Sequence, residues 1–288
     1  MLFDRYIGVD WSGAKGPKLK GLQVALCDAG TAAPVLVRNP AGGHWTRNAF
    51  VNWMTGQLDG DGRTLCGLDY SFCFPWCDLE DYFPDNIDDP ADWSEFWQLV
   101  ETVCSQDGGF FGGQMAADSR FAPYFAVIGS VGQHYQRRLR VTEQACQAQG
   151  LGTPESVFNL RGARQVGKGS LAGMRVLQAL RRTSGVAIWP FDAISPHGSA
   201  IVETFPTAFV RMAGLGPGKI RTSQDLGKVL RHYNSDAPAQ VPDITDDQAD
   251  ALVSAAALRC LASDSDLWHP AGLSDRVRRY EGWTFGVR

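Results

Sequence analysis

Residues 5–12 limit the possible folds more than any other stretch, because a short apolar run there ends abruptly in a carboxylate. The run from Arg5 to Val9 has the branched and aromatic residues typical of a buried strand, and Asp10 follows directly. The small polar residues and glycines that come next can turn the chain tightly. The pattern predicts a buried strand that delivers Asp10 to its carboxyl end, although a simple hairpin with Asp10 in the turn fits the same residues.

Two later apolar runs also end in an acid. Asp69 follows a run that begins at Thr64, and Glu203 ends a run that begins at Ser199 and stops before Pro206. Each of these acids alone is typical of a structural residue at a strand end. Three acids at the ends of three apolar runs favour a shared carboxylate site.

The connections between the runs predict how the strands pair. Strand-like segments at 21–27 and 34–38 follow the first run through short turns, which predicts an antiparallel meander. Apolar residues at helical spacing predict a helix over 46–58, capped by a threonine. A right-handed crossover through that helix would lay the next strand parallel to the first, so Asp10 and Asp69 would meet at one edge of the sheet.

A helix rich in carboxylates is predicted near the carboxyl-terminal end of the sequence. Thr245 and Gln248 form a capping box, and the acids of the first turn suit the positive end of a helix dipole. Asp250 has no such explanation, because it lies on the apolar face that should pack on the sheet, with Asp247 one turn before it. A buried carboxylate needs a cation or hydrogen-bond donors, so Asp250 and Asp247 join the candidate site.

These acids predict a site for a divalent metal ion. Carboxylates at this density repel one another, which raises their pKa values unless a cation lies among them. Carboxylate oxygens suit Mg²⁺ or Mn²⁺, and two such ions about 4 Å apart can activate a water against a phosphodiester. The candidate catalytic residues and metal ligands are the same five: Asp10, Asp69, Glu203, Asp247 and Asp250.

The middle of the chain separates its charges. Residues 78–107 carry ten acidic side chains and no Lys or Arg, whereas residues 134–182 carry nine basic side chains and two acidic ones. Apolar residues at helical spacing predict a mainly helical insertion, residues 78–185, within a single domain that spans 1–288. The basic half is a candidate phosphate-binding surface, although a solvated face paired with the acidic half fits the same residues.

Candidate phosphate-binding residues occur in two places, which are the turn after the first strand and the basic half of the insertion. They are Ser12, Lys15, Arg161, Arg164 and Lys168. The last two lie in a glycine-rich run that differs from a P-loop, because Gly169 stands where the magnesium-binding hydroxyl should follow the lysine. We therefore expect a basic loop that contacts a phosphate backbone.

Four short blocks of this sequence resemble a known family. They are Ile7–Asp10, Gly67–Asp69, Val202–Pro206 and Asp246–Leu252. They resemble the signature blocks of a widespread domain-of-unknown-function family of predicted RNase H-like nucleases. The first strand and the final helix are also similar to those of Holliday-junction resolvases of the RuvC type.

The resemblance implies a ribonuclease H-like α/β fold, with three α/β/α layers and a mixed five-stranded sheet in the order 3-2-1-4-5. It also implies metal-dependent hydrolysis of phosphodiester bonds in DNA or RNA. By this resemblance Asp10 is the central ligand of Mg²⁺ or Mn²⁺, Asp250 or Asp247 lies opposite it, and Asp69 and Glu203 complete the site. The large insertion before Glu203 departs from the compact resolvase pattern, so the kind of nucleic acid stays open.

Two other functions also stay open. The same fold underlies actin-like ATPases and sugar kinases, in which the glycine turn after the first strand holds nucleotide phosphates. Those proteins usually duplicate the fold, and the first-strand block occurs once in this sequence. A binding protein that keeps the fold without turnover is the third possibility.

Composition indicates the compartment. The net charge of −4 is too small to indicate a nucleic-acid or membrane partner by itself, and no stretch approaches the ~18 apolar residues of a membrane span. Seven irregularly spaced cysteines are typical of reduced thiols, and the first residues lack the apolar core of a signal peptide. We expect a cytoplasmic protein without a membrane partner.

Overall fold

The computed structural model describes residues 2–86, 89–162, 166–216, 218–238 and 244–288. Its strands are β1 Arg5–Asp10, β2 Gln23–Asp28, β3 Val35–Leu36, β4 Thr64–Leu68, β5 Ala126–Val127, β6 Ser130–Val131, β7 Ala187–Ile188 and β8 Ala200–Glu203. Its helices are α1 Arg47–Leu58, α2 Trp93–Val103, α3 Val141–Ala148, α4 Val166–Ser184, α5 Pro206–Met212, α6 Ser223–His232, α7 Asp246–Leu261 and α8 Asp275–Tyr280.

Within the described ranges the main sheet has six strands in the order β3-β2-β1-β4-β8-β7, and β5 and β6 form a separate hairpin. The meander β1-β2-β3 is antiparallel, whereas β4 runs parallel to β1 and β8 parallel to β4, so the protein is mixed α/β. The predicted number of five strands is wrong by one, because β7 adds an edge strand beside β8. The number five was what the family resemblance implies, and β7 lies outside the implied order 3-2-1-4-5.

Helices cover both faces of this sheet. On β1, Ile7 and Val9 pack into a buried cluster that includes Phe50 of α1 and Leu171 of α4. Tyr6, which points to the other face, belongs to a second cluster formed largely with residues of α7. Burial on both faces explains why β1 is an almost continuous apolar run instead of an alternating one.

The segment 78–185 contains α2, α3 and α4, three short 3₁₀ turns and the β5-β6 hairpin. It was predicted to be a mainly helical insertion, but its three α-helices cover only 38 of its 108 residues; its status as a separate subdomain stays a prediction. Its segregated charges meet in space. Arg138 Nη2 lies 2.6 Å from Asp78 Oδ1, and Arg175 Nε lies 2.8 Å from Glu101 Oε2. Both guanidinium groups are buried, so the pairing of basic and acidic halves accounts for these two arginines.

The described residues contain no membrane-spanning helix and no disulfide. No helix there is both long enough and apolar enough to cross a bilayer. The 19-residue helix α4 carries Lys168, Arg175, Arg181 and Arg182 along its length. All seven cysteines are described, and each of them is a free thiol.

The contact between β1 and α7 is unusually close. A Cβ atom built on Gly8 would lie 2.3 Å from the carbonyl oxygen of Ala251 and 2.5 Å from the amide nitrogen of Ala255. Only glycine allows the helix backbone to approach the strand this closely. The small residues of α7 therefore fix its position over the centre of the sheet.

We expect Gly8→Ala to lower the free energy of unfolding by about 2 kcal/mol, because the added methyl group must push α7 away from β1. The measurement is chemical denaturation of the parent and the variant. The matched control is Gly56→Ala on α1, where an added Cβ would meet nothing within 4 Å. That control should be neutral or more stable by about 0.5–1 kcal/mol. Equal stability of Gly8→Ala and the parent would contradict the close approach.

Candidate active-site cleft

A cleft of about 560 Å³ opens where the carboxyl ends of three strands meet. Asp10 ends β1, Asp69 directly follows β4, and Glu203 ends β8. Because β1, β4 and β8 are adjacent and parallel, these three side chains reach the same edge of the sheet. Asp247 and Asp250 of α7 line the same cleft. The structure brings the five predicted acids together, and their role as metal ligands stays a prediction.

The first turn of α7 begins at this cleft because a capping box fixes its start, as predicted. The Thr245 hydroxyl accepts from the Gln248 amide, and the Gln248 side chain accepts from the Thr245 amide. Asp246 Oδ1 lies 3.3 Å from Arg221 Nε, and Asp246 does not line the cleft. Of the two acids in the first turn, Asp247 is therefore the one that joins Asp250.

The aspartates of the cleft disfavour one another's ionised forms. Burial, followed by the charges of Asp69 and Asp250, raises the pKa of Asp10 well above its ordinary value. Burial and the Asp250 charge raise the pKa of Asp69 to about 8, although a hydrogen bond to Asp10 lowers it. Two carboxyl groups can share a hydrogen bond only if one of them holds a proton. The pair therefore needs a proton or another cation at neutral pH.

Lys219 is the cation that the structure places against these aspartates. Its Nζ donates to Asp250 Oδ2 at 2.8 Å. Burial raises the pKa of Asp250 and outweighs the lowering by Lys219, so the net pKa is raised. Burial by itself would lower the pKa of Lys219, but Asp250, Asp10 and Asp69 raise it. One ammonium group thus balances only part of the negative charge.

Glu203 differs from the aspartates because its carboxylate is already satisfied. Arg140 donates to it through two bonds, Nη2 to Oε1 at 2.5 Å and Nη1 to Oε2 at 2.8 Å. The Phe72 amide and the Thr284 hydroxyl also donate to it, at 2.7 and 2.6 Å. The fully buried Arg140 additionally donates Nε to Glu143 at 3.0 Å. Arg140 therefore bridges two buried carboxyl groups at the floor of the cleft with a single positive charge.

The glycine turn after β1 forms another wall of the cleft. Ser12, Gly13 and Ala14 line it, next to the first residues of α4. The buried Arg47 holds this turn, because its Nη2 donates to the carbonyl oxygens of Ser12 at 2.7 Å and Ala14 at 2.9 Å. A Cβ atom on Gly13 would lie 2.5 Å from the Gly169 amide nitrogen. The turn thus lies directly against the amino-terminal end of α4, which carries the positive end of the helix dipole.

Of the other predicted phosphate-binding residues, Lys15, Arg161 and Lys168 lie outside the lining of the cleft. Lys15 is exposed, with Nζ 5.9 Å from the ring centre of Phe111, and the exposed Arg161 lies 5.9 Å over Tyr135. Arg164 falls outside the described residues. The prediction of a basic loop is wrong for Lys168, because α4 already begins at Val166 and Lys168 lies in its first turn.

Three residues of the cleft were not identified from sequence. Arg140 is one arginine of a basic run, and Lys219 follows a glycine-proline-glycine segment without any motif. Thr204 follows Glu203; its side-chain oxygen is buried and has no hydrogen-bond partner among the described residues. The only signal for Thr204 was its position directly after an acid at a strand end. A buried hydroxyl without a partner is costly, which favours a ligand-binding role for this position.

The donor chemistry of the cleft suits a hard divalent cation, since Asp10, Asp69, Asp247 and Asp250 offer carboxylate oxygens. Across the described parts of the chain, no three His, Cys, Asp or Glu side chains stand as a ready-made metal site. The aspartates in their present positions are therefore a source of ligands that would have to converge on an ion.

Comparisons with protein-family models, with curated proteins and with solved structures find no match for this chain. What the cleft can do must therefore be judged from its own side chains. Those side chains comprise four aspartates with raised pKa values, one half-exposed lysine and a glycine turn beside a helix amino terminus.

Proposed function

We propose that this chain is a metal-dependent nuclease with a ribonuclease H-like fold, which hydrolyses phosphodiester bonds of DNA or RNA in the cytoplasm. One observation carries the proposal: acids from β1, β4, β8 and α7, far apart in sequence, line a single cleft. Concentrated carboxylates with raised pKa values are typical of sites that bind divalent cations or move protons. The sequence pattern predicts the same five acids, from three strand ends and one helix face.

The topology supports the fold part of this proposal. The strand order β3-β2-β1-β4-β8 agrees with the order implied by the family resemblance, and helices cover both faces. The edge strand β7 is an addition to that pattern. In α/β sheets of this kind, ligands bind at the carboxyl ends of the strands.

We assign the metal to four of the five acids, Asp10, Asp69, Asp247 and Asp250. A bound Mg²⁺ or Mn²⁺ would polarise a phosphoryl oxygen and lower the pKa of a water molecule. Glu203 has another role in this proposal, because Arg140 and two further donors already occupy both of its oxygens. It anchors the end of β8 and adds negative charge behind Asp69.

The glycine turn that follows Asp10 supplies groups that can hold a phosphate. Ser12 offers a hydroxyl, and the glycine turn allows backbone amides to approach a ligand. The amino-terminal end of α4 lies beside this turn and favours an anion. A substrate phosphate would thus be bound between the helix end and the carboxylates, which orients it towards the residues that activate the water.

A nucleotide-binding role is a second candidate. The observation that favours it is the position of Ser12 to Ala14 against the first turn of α4, which suits a terminal phosphate as well as a phosphodiester. Such a protein would bind ATP without an oligonucleotide. The two candidates use the same cleft and differ in the ligand that binds.

The test is calorimetric titration of Mn²⁺ into the purified protein and into Asp10→Asn. We expect the parent to bind Mn²⁺ and Asp10→Asn to lose detectable binding, because Asp10 lies close enough to Asp69, Asp250 and Asp247 for their charges to raise its pKa. The matched control is Asp246→Asn, which removes one charge from the same helix but from a side chain outside the cleft. It should bind Mn²⁺ as the parent does.

Titration is followed by incubation of the Mn²⁺-loaded protein with linear and branched DNA and RNA, and separately with ATP. Cleavage by the parent and not by Asp10→Asn supports the nuclease. Turnover of ATP alone would favour the second candidate. If neither metal nor nucleic acid is bound by the parent, the carboxylate cluster is structural and the proposed function is wrong.

A further inference from the structure

Lys219 is only loosely held against the aspartate cluster, whereas a cation with a structural role is usually buried and bonded several times. Its side chain is 51% exposed, and among the described residues its Nζ makes one hydrogen bond, to Asp250 Oδ2 at 2.8 Å. Arg140, the other cation that lines the cleft in the described residues, is fully buried and bonded to Glu203 and Glu143. A partly exposed ion pair with one hydrogen bond contributes little stability, so it can be exchanged for another partner.

The charges around Lys219 are far from balanced. Asp10, Asp69, Asp247 and Asp250 all line the cleft with it, and the guanidinium of Arg140 is already used by two glutamates. One ammonium group can balance one of the four carboxylates. The other carboxyl groups must either hold a proton or repel one another as anions. A divalent ion placed among the same oxygens would balance this charge better than the ammonium does.

A second observation points to a ligand in this cleft. Thr204 lines it and is 2% exposed, and its buried hydroxyl has no hydrogen-bond partner in the described chain. It directly follows Glu203 and its amide donates to the Leu68 carbonyl, one residue before Asp69. The water of a bound ion, or an oxygen of the substrate, would give the Thr204 hydroxyl the hydrogen-bond partner that it lacks.

We propose that Lys219 is a displaceable internal cation that competes with the divalent metal for the aspartate cluster. With no metal bound, its ammonium lies on Asp250; when the metal enters, the ammonium leaves and the side chain becomes exposed to solvent. Lys219 thereby sets the metal concentration at which the site fills. The inference rests on the proposed metal site, because it describes how that site is regulated.

The flexible lysine side chain makes this exchange physically simple. Four methylene groups carry the ammonium, and half of the side chain is already in contact with water. Metal binding must displace the ammonium from Asp250. The apparent affinity for metal is therefore the intrinsic affinity multiplied by the fraction of molecules in which the Lys219–Asp250 ion pair is broken. Removing the ammonium removes this competition.

The test compares Mn²⁺ binding by the parent, Lys219→Met and Lys228→Met with calorimetry. Lys228 is a matched control, because it is also half exposed and also forms one ion pair, with Asp225 at 3.0 Å on the surface of α6. We expect Lys219→Met to bind Mn²⁺ about fivefold more tightly than the parent, the scale of one partly exposed ion pair. Lys228→Met should bind with the affinity of the parent.

A second measurement follows the lysine itself. Reductive methylation of the parent, quantified by mass spectrometry of the Lys219 peptide, should be faster with saturating Mn²⁺ than with a chelator. The Lys228 peptide should be modified at the same rate under both conditions, because its partner lies outside the cleft.

The outcomes separate this inference from the proposed function. If the parent binds Mn²⁺ but Lys219→Met binds it equally or more weakly, Lys219 does not compete and the inference is wrong, whereas the metal site remains. Unchanged methylation of Lys219 upon Mn²⁺ binding would overturn it in the same way. If neither the parent nor Lys219→Met binds Mn²⁺, both the metal site and the inference are wrong.

Discussion

Arg140→Met should lower the free energy of unfolding by about 3–5 kcal/mol, because it leaves buried carboxylates without their cation. Arg140 donates two hydrogen bonds to Glu203 and one to Glu143, and all three side chains are buried. Methionine keeps much of the volume, so the effect measures the lost charge more than a cavity. For a chain of this size the loss corresponds to a fall in melting temperature of roughly 10 °C.

Two further variants make this result interpretable. Arg137→Met removes an exposed ion pair with Glu155, and it should change the free energy of unfolding by less than about 0.5 kcal/mol. The double variant Arg140→Met with Glu203→Gln should recover part of the lost stability, because one of the stranded charges is then absent. Should Arg140→Met unfold at the same temperature as Arg137→Met, the buried network would not stabilise the fold.

Asp69→Asn should stabilise the metal-free protein at pH 8 by about 2 kcal/mol or more, and by less at pH 5. Burial and the Asp250 charge raise the pKa of Asp69 to about 8 in the folded protein, whereas an unfolded aspartate has a pKa near 3.9. The folded state therefore holds a proton that the unfolded state has released. Between pH 4 and pH 8 the parent should lose stability as the pH rises, by up to about 1.4 kcal/mol per pH unit for this group.

Thermal denaturation in the presence of a chelator, at pH 5 and at pH 8, measures this difference. Asparagine does not titrate, so the variant should show a smaller fall between the two pH values than the parent. Asp246→Asn is the control; its carboxylate pairs with Arg221 outside the cleft, so it should follow the parent at both pH values. A variant Asp69→Asn that loses as much stability as the parent would show that Asp69 is already ionised in the folded protein.

The position of the acids could be predicted from sequence because it depends on local patterns. A buried strand that ends in an acid places that acid at the sheet edge, and parallel strands share that edge. Asp10, Asp69 and Glu203 follow this rule. Asp250 was found because a charged residue on an apolar helix face needs an explanation.

The partners of the acids could not be predicted, because they depend on contacts between distant segments. Arg140 and Glu203 are separated by 63 residues, and nothing in either local sequence indicates that they meet. The ion pairs of Arg138 with Asp78 and of Arg175 with Glu101 have the same origin. Segregated charges in sequence indicate that a surface or an internal pairing exists, but they do not distinguish the two.

The glycines of α4 were misleading for a related reason. Local propensity disfavours glycine in a helix, so the run 162–170 with Gly167 and Gly169 is typical of a loop. In the structure Gly167, and Gly173 further along α4, allow close packing. A Cβ on Gly167 would lie 1.9 Å from the Val157 carbonyl oxygen, and one on Gly173 would lie 2.2 Å from the Tyr70 ring. Tertiary contacts have overridden the local preference.

The close packing of α7 on β1 has a consequence for the order in which the protein folds. Gly8 and Ala251 touch across more than two hundred residues of chain, and contacts of such long range are made late and slowly. Until α7 has been synthesised, one face of the β1-β2-β4 core lacks its cover and exposes apolar side chains such as Tyr6 and Leu65. A nascent chain of this protein would therefore carry an aggregation-prone apolar face until α7 is made, and its carboxylate cluster, which includes Asp247 and Asp250, would be complete only then.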